Sequence, residues 1–433
     1  MNTRANMENR EETSFQKVLH IASFRSLWFG QISSQFAVNT MLFVLALRVY
    51  ERTGSNAAVS GLFLAYAVPA VLFGMVAGTL VDYFDKKKIL VICDLLRAFF
   101  VVLLLFTSEH VWVVYLITFL NAIITQLYVP AEAPLIPKLV PETLSLSANS
   151  LFSFTFYTSL AVGSITAGPL LRTFGPNIIF ALISGMFFLA AYFESRIKTV
   201  EVSVGSFTRV MAKSLSTIIS RVYGSLFEGI SYVRSRERLQ EALTLLTGTQ
   251  IIIAILGILG PGFADRVLSL DIHDASVVIM APMVFGIIAG ALWIGSRGEK
   301  EDSQKLISTG IFSAGIILLF LSGIVFMSYL FHFSDTKTPV FIRLLSFVLF
   351  FLLGIANSML DVPANSMLQR ESEGVLRGRV YGMLTASVGG VGILPVAVGG
   401  LLADTIGVGK VIFILGSCIT LYGILRIRYN TSS

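Results

Sequence analysis

The residues able to do chemistry in this chain are charges and amides set within apolar sequence. The densest group is Gly78-Thr-Leu-Val-Asp82-Tyr-Phe-Asp85-Lys86-Lys87-Lys88. A carboxylate followed by three lysines suits reversible ion pairing rather than bond making. Asp82 could accept hydrogen bonds at a facing helix N-terminus, whose dipole favours an anion. Lys86, Lys87 and Lys88 could reach anionic side chains or lipid phosphates, and Gly78 permits close helix approach. The same residues also read as a plain topology signal. Further on, Asp94 and Arg97 are three residues apart on one helix face. At 1.5 Å per residue they would sit roughly 10 Å inside a membrane boundary. An unpaired charge there is costly, so they should pair with each other or with Asp82, either as a proton-sensitive relay or as a static brace. Gln31, Gln35 and Asn39 recur every four residues and form one polar stripe. Such a stripe either faces an amphiphilic ligand or ties neighbouring helices together.

Other chemistries lack their residues. No G-x-x-x-x-G-K-[ST] phosphate loop occurs. No nucleophile and base share a membrane depth, so neither an enzyme nor an ATP-driven pump is expected. His20, His110, His273 and His332 are scattered, and Cys93 and Cys418 make no disulfide framework. No cofactor and no metal are implied.

The elements that must hold these groups are membrane helices. The chain is 55% hydrophobic and 13% charged, against roughly 25% charged in a soluble domain, and its mean hydropathy is +0.80. Apolar runs of about 20 residues cross ~30 Å of hydrocarbon as helices, and they lack the alternation of barrel strands. They predict about twelve spans: 27–48, 58–82, 88–108, 111–130, 146–171, 175–196, 242–262, 276–296, 306–331, 341–362, 380–403 and 408–427. The ends at Pro130 and Pro363 could run on into amphipathic helix. The net charge of +6 is not a nucleic-acid signal, because the lysines and arginines concentrate in alternate loops. The heavily basic loops mark the cytoplasmic side. They place both termini inside, in agreement with an even number of spans.

Residues 1–26 read as a cytoplasmic tail rather than a secretory signal, and 428–433 as a second tail. Residues 197–241 read as a cytoplasmic linker with an amphipathic helix along the membrane face. The linker separates halves at 27–196 and 242–427. The halves resemble each other: Phe73, Gly74, Ala77, Gly78 and Leu80 match Phe285, Gly286, Ala289, Gly290 and Leu292 without gaps. Val129-Pro130-Ala131 matches Val362-Pro363-Ala364. The fold class is therefore an all-α membrane protein of two repeated six-helix halves.

The loop from Gly78 to Lys88 resembles the major facilitator signature G-x-L-x-D-x-x-G-[RK]-[RK]. Thr53-Gly54-Ser55, Asp94-Leu-Leu-Arg97-Ala98, Pro130-Ala131, Pro137-Lys-Leu-Val-Pro141, Ala148-Asn149, Gln369 and Gly378-Arg379-Val380 resemble the macrolide-efflux, drug:proton antiporter type of that superfamily. The resemblance implies a cytoplasmic latch at Gly78, Asp82 and the three lysines, and a cavity between spans one, four, seven and ten. The polar residues there are Gln31, Gln35, Asn39, Asn121, Thr125, Gln126, Gln250, Asn357 and Asp361. Gly163-Ser-Ile-Thr-Ala-Gly168-Pro169 resembles a loosely spaced antiporter motif. Several departures stand out. Asp85 replaces the second signature glycine, Ile294 stands where Asp82 would repeat, and Asn121 stands where relatives often have arginine. Span one also lacks a mid-span acid. Proton coupling then rests on Asp94, Glu132 or Asp361, with Arg97 as partner. The implied function is export of an amphiphilic drug-like, macrolide-like or siderophore-like molecule by a monomer in a bacterial inner membrane, with protons as the coupling ion. A lysophospholipid flippase or uncoupled facilitator of the same fold is the alternative, and a channel is a further one.

Overall fold

A computed structural model describes residues 14–81, 84–198, 232–297, 302–330, 339–371 and 376–432. Among them the secondary structure is helical, without strands. A short helix α1 (Ser14–His20) leads into α2 (Ala22–Thr53), α3 (Asn56–Val81), α4 (Lys86–Thr107), α5 (Val111–Glu132) and the short α6 (Leu135–Leu139). The run Ser145–Ser195 is broken at Gly175 into α7 (145–174) and α8 (176–195). The second half comprises α9 (Glu237–Arg266), α10 (Ala281–Arg297, led by a π turn over Ser276–Met280), α11 (Ser303–Leu330), α12 (Val340–Glu371), α13 (Leu376–Ile406) and α14 (Val408–Ser432).

Ten of the described helical segments are long and apolar enough to cross a membrane. One of the ten is Glu142–Ser195, which the Gly175 break divides in two, and α13 adds the shorter apolar stretch Val391–Ile406. Each of the twelve predicted spans therefore coincides with a helix. The helices run through their prolines, including Pro130 in α5 and Pro363 in α12. A membrane helix tolerates proline because neighbouring groups re-satisfy the freed backbone. That carries α12 to Glu371, past the predicted end at 362. The predicted amphipathic linker helix at 211–230, the tail 1–13, Asp82 and His332 lie outside the described residues.

Tight turns close one end of the bundle. Gly54 ends α2 in the left-handed region (φ 60°) and donates its N–H to the Tyr50 carbonyl. Gly175 (φ 72°, ψ 169°) reverses the chain between α7 and α8 within a single residue. Both need the freedom that a missing Cβ gives. The opposite end, here the basic end, carries Arg25, Lys86–Lys88, Lys138, Arg196, Arg297, Lys305, Arg370 and Arg426 near helix termini.

The repeat in the sequence is a repeat in packing. Helix α3 packs on α5 in the first half and α10 on α12 in the second. At the matching positions, Gly74 faces Gln126 of α5 and Gly286 sits against the Phe351 backbone of α12. The halves meet where α3 packs on α13, and where α7 packs on the π turn before α10. The buried apolar side chains are joined at one end and divided at the other. A single cluster draws on both halves away from the basic end, including Val44, Leu62, Phe180, Ile255, Phe263, Phe350 and Ala403. Toward the basic end the described core splits. One part, around Phe24, Leu90 and Tyr128, belongs to the first half, and another, around Leu239, Ile307 and Leu368, to the second.

Candidate functional site

The charges of the first half converge on one buried cluster. Asp94 and Arg97 form a salt bridge of 2.9 Å, with the Asp94 side chain fully buried and Arg97 nearly so. Asp94 Oδ1 also accepts from the Ser34 hydroxyl of α2 at 3.0 Å. Arg97 donates to Ser34 at 3.0 Å and to Thr125 of α5 at 3.0 Å, and its guanidinium lies 4.6 Å from the Tyr128 ring centroid. The Tyr128 hydroxyl donates to Glu194 Oε1 of α8 at 2.7 Å and stands 3.4 Å from Glu132 Oε1. Asp94 thus pairs with Arg97, as its spacing predicted. Glu132 joins the same cluster.

Sequence reasoning missed Glu194 and Tyr128. Glu194 falls inside the span predicted at 175–196, and a carboxylate within a span is itself a signal. It was legible only as an ordinary span end. Gly30 of α2 makes the room: a Cβ there would lie 2.8 Å from Glu194 Cγ.

The amides and alcohols of the expected cavity are partly bonded to their own helices. Asn39 donates to the Gln35 carbonyl at 3.0 Å, Asn121 to Ile117 at 2.9 Å and Gln126 to Ala122 at 3.2 Å. This leaves the buried Oε1 of Gln31 and Oδ1 of Asn121 without a protein partner. Thr125 is drawn toward Arg97 instead. In the second half Gln250 is exposed and Asn357 half-buried. Asp361 is approached by the Thr249 hydroxyl at 3.5 Å and by Asn365 at 3.3 Å. It lies apart from the Asp94 cluster, on the other half. In the signature loop, Asp85 caps α4 by accepting from the N–H groups of Lys87 (2.9 Å) and Lys88 (3.3 Å). The departure from glycine thus supplies a helix cap. Lys86 is buried, and Gly78 lies within α3.

A seam of polar bonds joins the halves at the end away from the basic loops. Asp404 of α13 accepts from the Ser55 hydroxyl (2.6 Å), the Asn56 N–H (3.0 Å), the Asn56 amide (3.0 Å) and the Ala57 N–H (2.9 Å), which caps the N-terminus of α3. Tyr50 donates to Asp265 at 3.1 Å, Arg266 to the Gly54 carbonyl at 2.5 Å, and Arg172 pairs with Asp274 at 3.0 Å. Deeper in, Ser60 donates to the Val396 carbonyl (2.9 Å) and the Gly168 N–H to Ser276 (3.0 Å). Gly168 meets the His273 backbone too closely for any side chain. The turn carrying His273 is capped by Asp271, whose carboxyl the His273 N–H holds below the usual carboxylate range.

Two six-helix halves, a core joined at one end and split at the other, and charges buried within one half are the architecture of a membrane transporter built from repeats. The chain belongs to the Major Facilitator Superfamily, whose family model matches residues 27–342. It is 24% identical over 394 residues to an uncharacterized MFS-type transporter, YfiS, of Bacillus subtilis (strain 168), covering 89% of this chain and 88% of that one. It is also 24% identical over 322 residues to Macrolide efflux protein A of Streptococcus pyogenes, covering 72% of this chain and 75% of that one. Among solved structures, the POT family transporter PepTSo superposes with a TM-score of 0.71 at 15% identity, covering 95% of this chain and 98% of that one. This multi-pass membrane protein is thus a major facilitator transporter with efflux-type relatives.

Proposed function

We propose that this chain is a secondary active exporter. It would carry amphiphilic small molecules, drug-like, macrolide-like or siderophore-like, out of the cell by alternating access, driven by protons. The observation that supports this best is the buried core, joined across both halves at one end and divided at the basic end. With the basic end on the cytoplasmic side, a core divided there would suit an inward-facing conformation. Both termini would then be cytoplasmic, and the membrane would be a bacterial inner membrane, as the sequence resemblance implies. Substrate would meet Gln31, Gln35, Asn39, Asn121, Gln126, Gln250 and Asn357 between the halves. The unpartnered oxygens of Gln31 and Asn121 supply acceptors for a ligand. Closing at the cytoplasmic end would bring Asp82 and Lys86–Lys88 against the second half as a latch. The protein acts as a monomer and makes no covalent change to its cargo.

A lipid flippase or uncoupled facilitator of the same fold is the second reading. It draws support from Asn121, a neutral residue where an arginine could serve proton transfer. Uptake into inside-out vesicles decides between the two, with macrolides, cationic dyes, siderophores and lysophospholipids as the panel. Uptake that collapses with an uncoupler supports the exporter. Uptake that survives the uncoupler supports the facilitator or flippase.

A further inference from the structure

The cluster around Asp94 has a charge problem. Three carboxyls, Asp94, Glu132 and Glu194, face one guanidinium, Arg97, and all four groups are buried. Among the described residues, the groups facing them do not supply a second cation. Helix α2 presents Ser34 and Gly30, α3 presents Tyr66, α4 adds Cys93, α5 presents Thr125 and Tyr128, and α8 adds Phe187. With every acid ionised the cluster would hold a net charge of −2 (three negative, one positive). An uncompensated buried charge costs several kcal/mol, and a buried carboxyl meets that cost by holding its proton.

Two atoms show where a proton belongs. Asp94 Oδ1 is occupied by Ser34 and Arg97, while Oδ2 is buried without a partner. Glu194 Oε1 is occupied by Tyr128, while Oε2 is buried without a partner. Glu194 and Asp94 face each other closely enough for their carboxyls to interact directly. Two facing carboxyls that each keep an orphan acceptor, with no donor for either, are satisfied together by one proton, because a protonated carboxyl becomes a donor. Like-charged carboxyls in contact disfavour the doubly ionised state.

We propose that Asp94 and Glu194 hold one proton between them, and that this pair is the binding site of the coupling proton. The coupling half of the proposal rests on the exporter reading. The proton-sharing half does not. A route to the basic end needs only the Tyr128 hydroxyl, which donates to Glu194, to turn toward Glu132. A proton leaving Glu194 for the Tyr128 oxygen is balanced by the hydroxyl's own proton moving to Glu132, the last residue of α5. Glu194 is then the residue that exchanges, and Arg97 the fixed charge that keeps the Asp94 oxygens ionised.

Infrared spectroscopy of the full-length protein in lipid vesicles tests the shared proton without transport. At neutral pH the substrate-free protein should show the carbonyl stretch of a protonated carboxyl. Glu194→Gln should abolish it. Asp94→Asn should abolish it too, because the Arg97 charge then falls to Glu194 and ionises it. A wild type without the band overturns the proposal, and so does a band that survives Glu194→Gln. Loss in Glu194→Gln with retention in Asp94→Asn means a lone neutral acid, which also overturns the sharing. Should Glu194→Gln fail to fold, Glu194→Asp must shift the band, and an unmoved band overturns the proposal. For coupling, Glu194→Gln should lose uphill, uncoupler-sensitive transport while keeping substrate counterflow, which needs no net proton movement. Wild-type uphill transport in this variant overturns the coupling role. Wild-type transport that ignores the uncoupler instead removes the exporter reading and leaves the infrared result standing.

Discussion

At the scale of single residues, two acidic sites are candidates for the proposed coupling role, one in each half. Asp361 is half-buried near the basic end, with only a long contact from Thr249 and a bond from Asn365. It lacks the tight partners that surround Asp94. Asp361→Asn is therefore expected to leave the pH profile of transport close to wild type if the Asp94 cluster carries the proton. A flattened profile in this variant would move coupling to the second half. The Asp94–Arg97 pair was legible from sequence because i,i+3 spacing on a helix fixes which side chains can meet. Glu194 was not, since its partners lie 66 and 100 positions away along the chain, at Tyr128 and Asp94. No periodicity reports such a distance. The same holds for Asp404, whose role depends on α3, some 348 positions earlier.

At the scale of elements, the cap that α13 places on α3 joins the halves with bonds that the proposed alternating access would have to break. Asp404→Ala leaves the N–H groups of Asn56 and Ala57 without their acceptor. Losing an N-cap acceptor costs about 1 kcal/mol, and a difference of that size moves a two-state equilibrium about fivefold. Spin labels on the far ends of α3 and α13 should report a larger separated population in Asp404→Ala than in wild type. An unchanged distance distribution would show that the apolar core there holds the seam unaided. The elements themselves were legible as to number and place, because a 20-residue apolar run has few alternatives in a membrane. Their ends were less so. The sequence left the ends at Pro130 and Pro363 open, and both prolines lie inside helices that run on past them.

At the scale of the whole molecule, the structure shows one of the conformations that transport requires. The seam away from the basic end is made of observed bonds, whereas the proposed latch at the basic end would centre on Asp82 and engage when that end closes. Removing the Asp82 charge should then bias the molecule toward the state seen here. Asp82→Asn is expected to cut transport sharply while membrane expression stays intact, and to raise the fraction closed at the outer end in the same spin-label measurement. Wild-type transport in this variant would reduce the signature loop to a topology signal. The repeat announced the two-half architecture in advance, because matched glycines mark the points where α3 meets α5 and α10 meets α12. Which end would be joined was not announced, because that depends on a balance between two seams rather than on any one of them.

The single-residue reversal at Gly175 has a mechanical consequence. Gly168, at the outer seam, lies about 10 Å along α7 from that reversal, and Glu194 lies about 28 Å along α8 on the other side, at 1.5 Å per residue. With no loop between the two helices there is almost no slack. A tilt of α7 as the seam parts must be absorbed in one pair of backbone dihedrals or passed to α8. Gly175 is thus the fulcrum of a lever whose short arm grips the outer seam and whose long arm ends at the carboxyl beside Asp94.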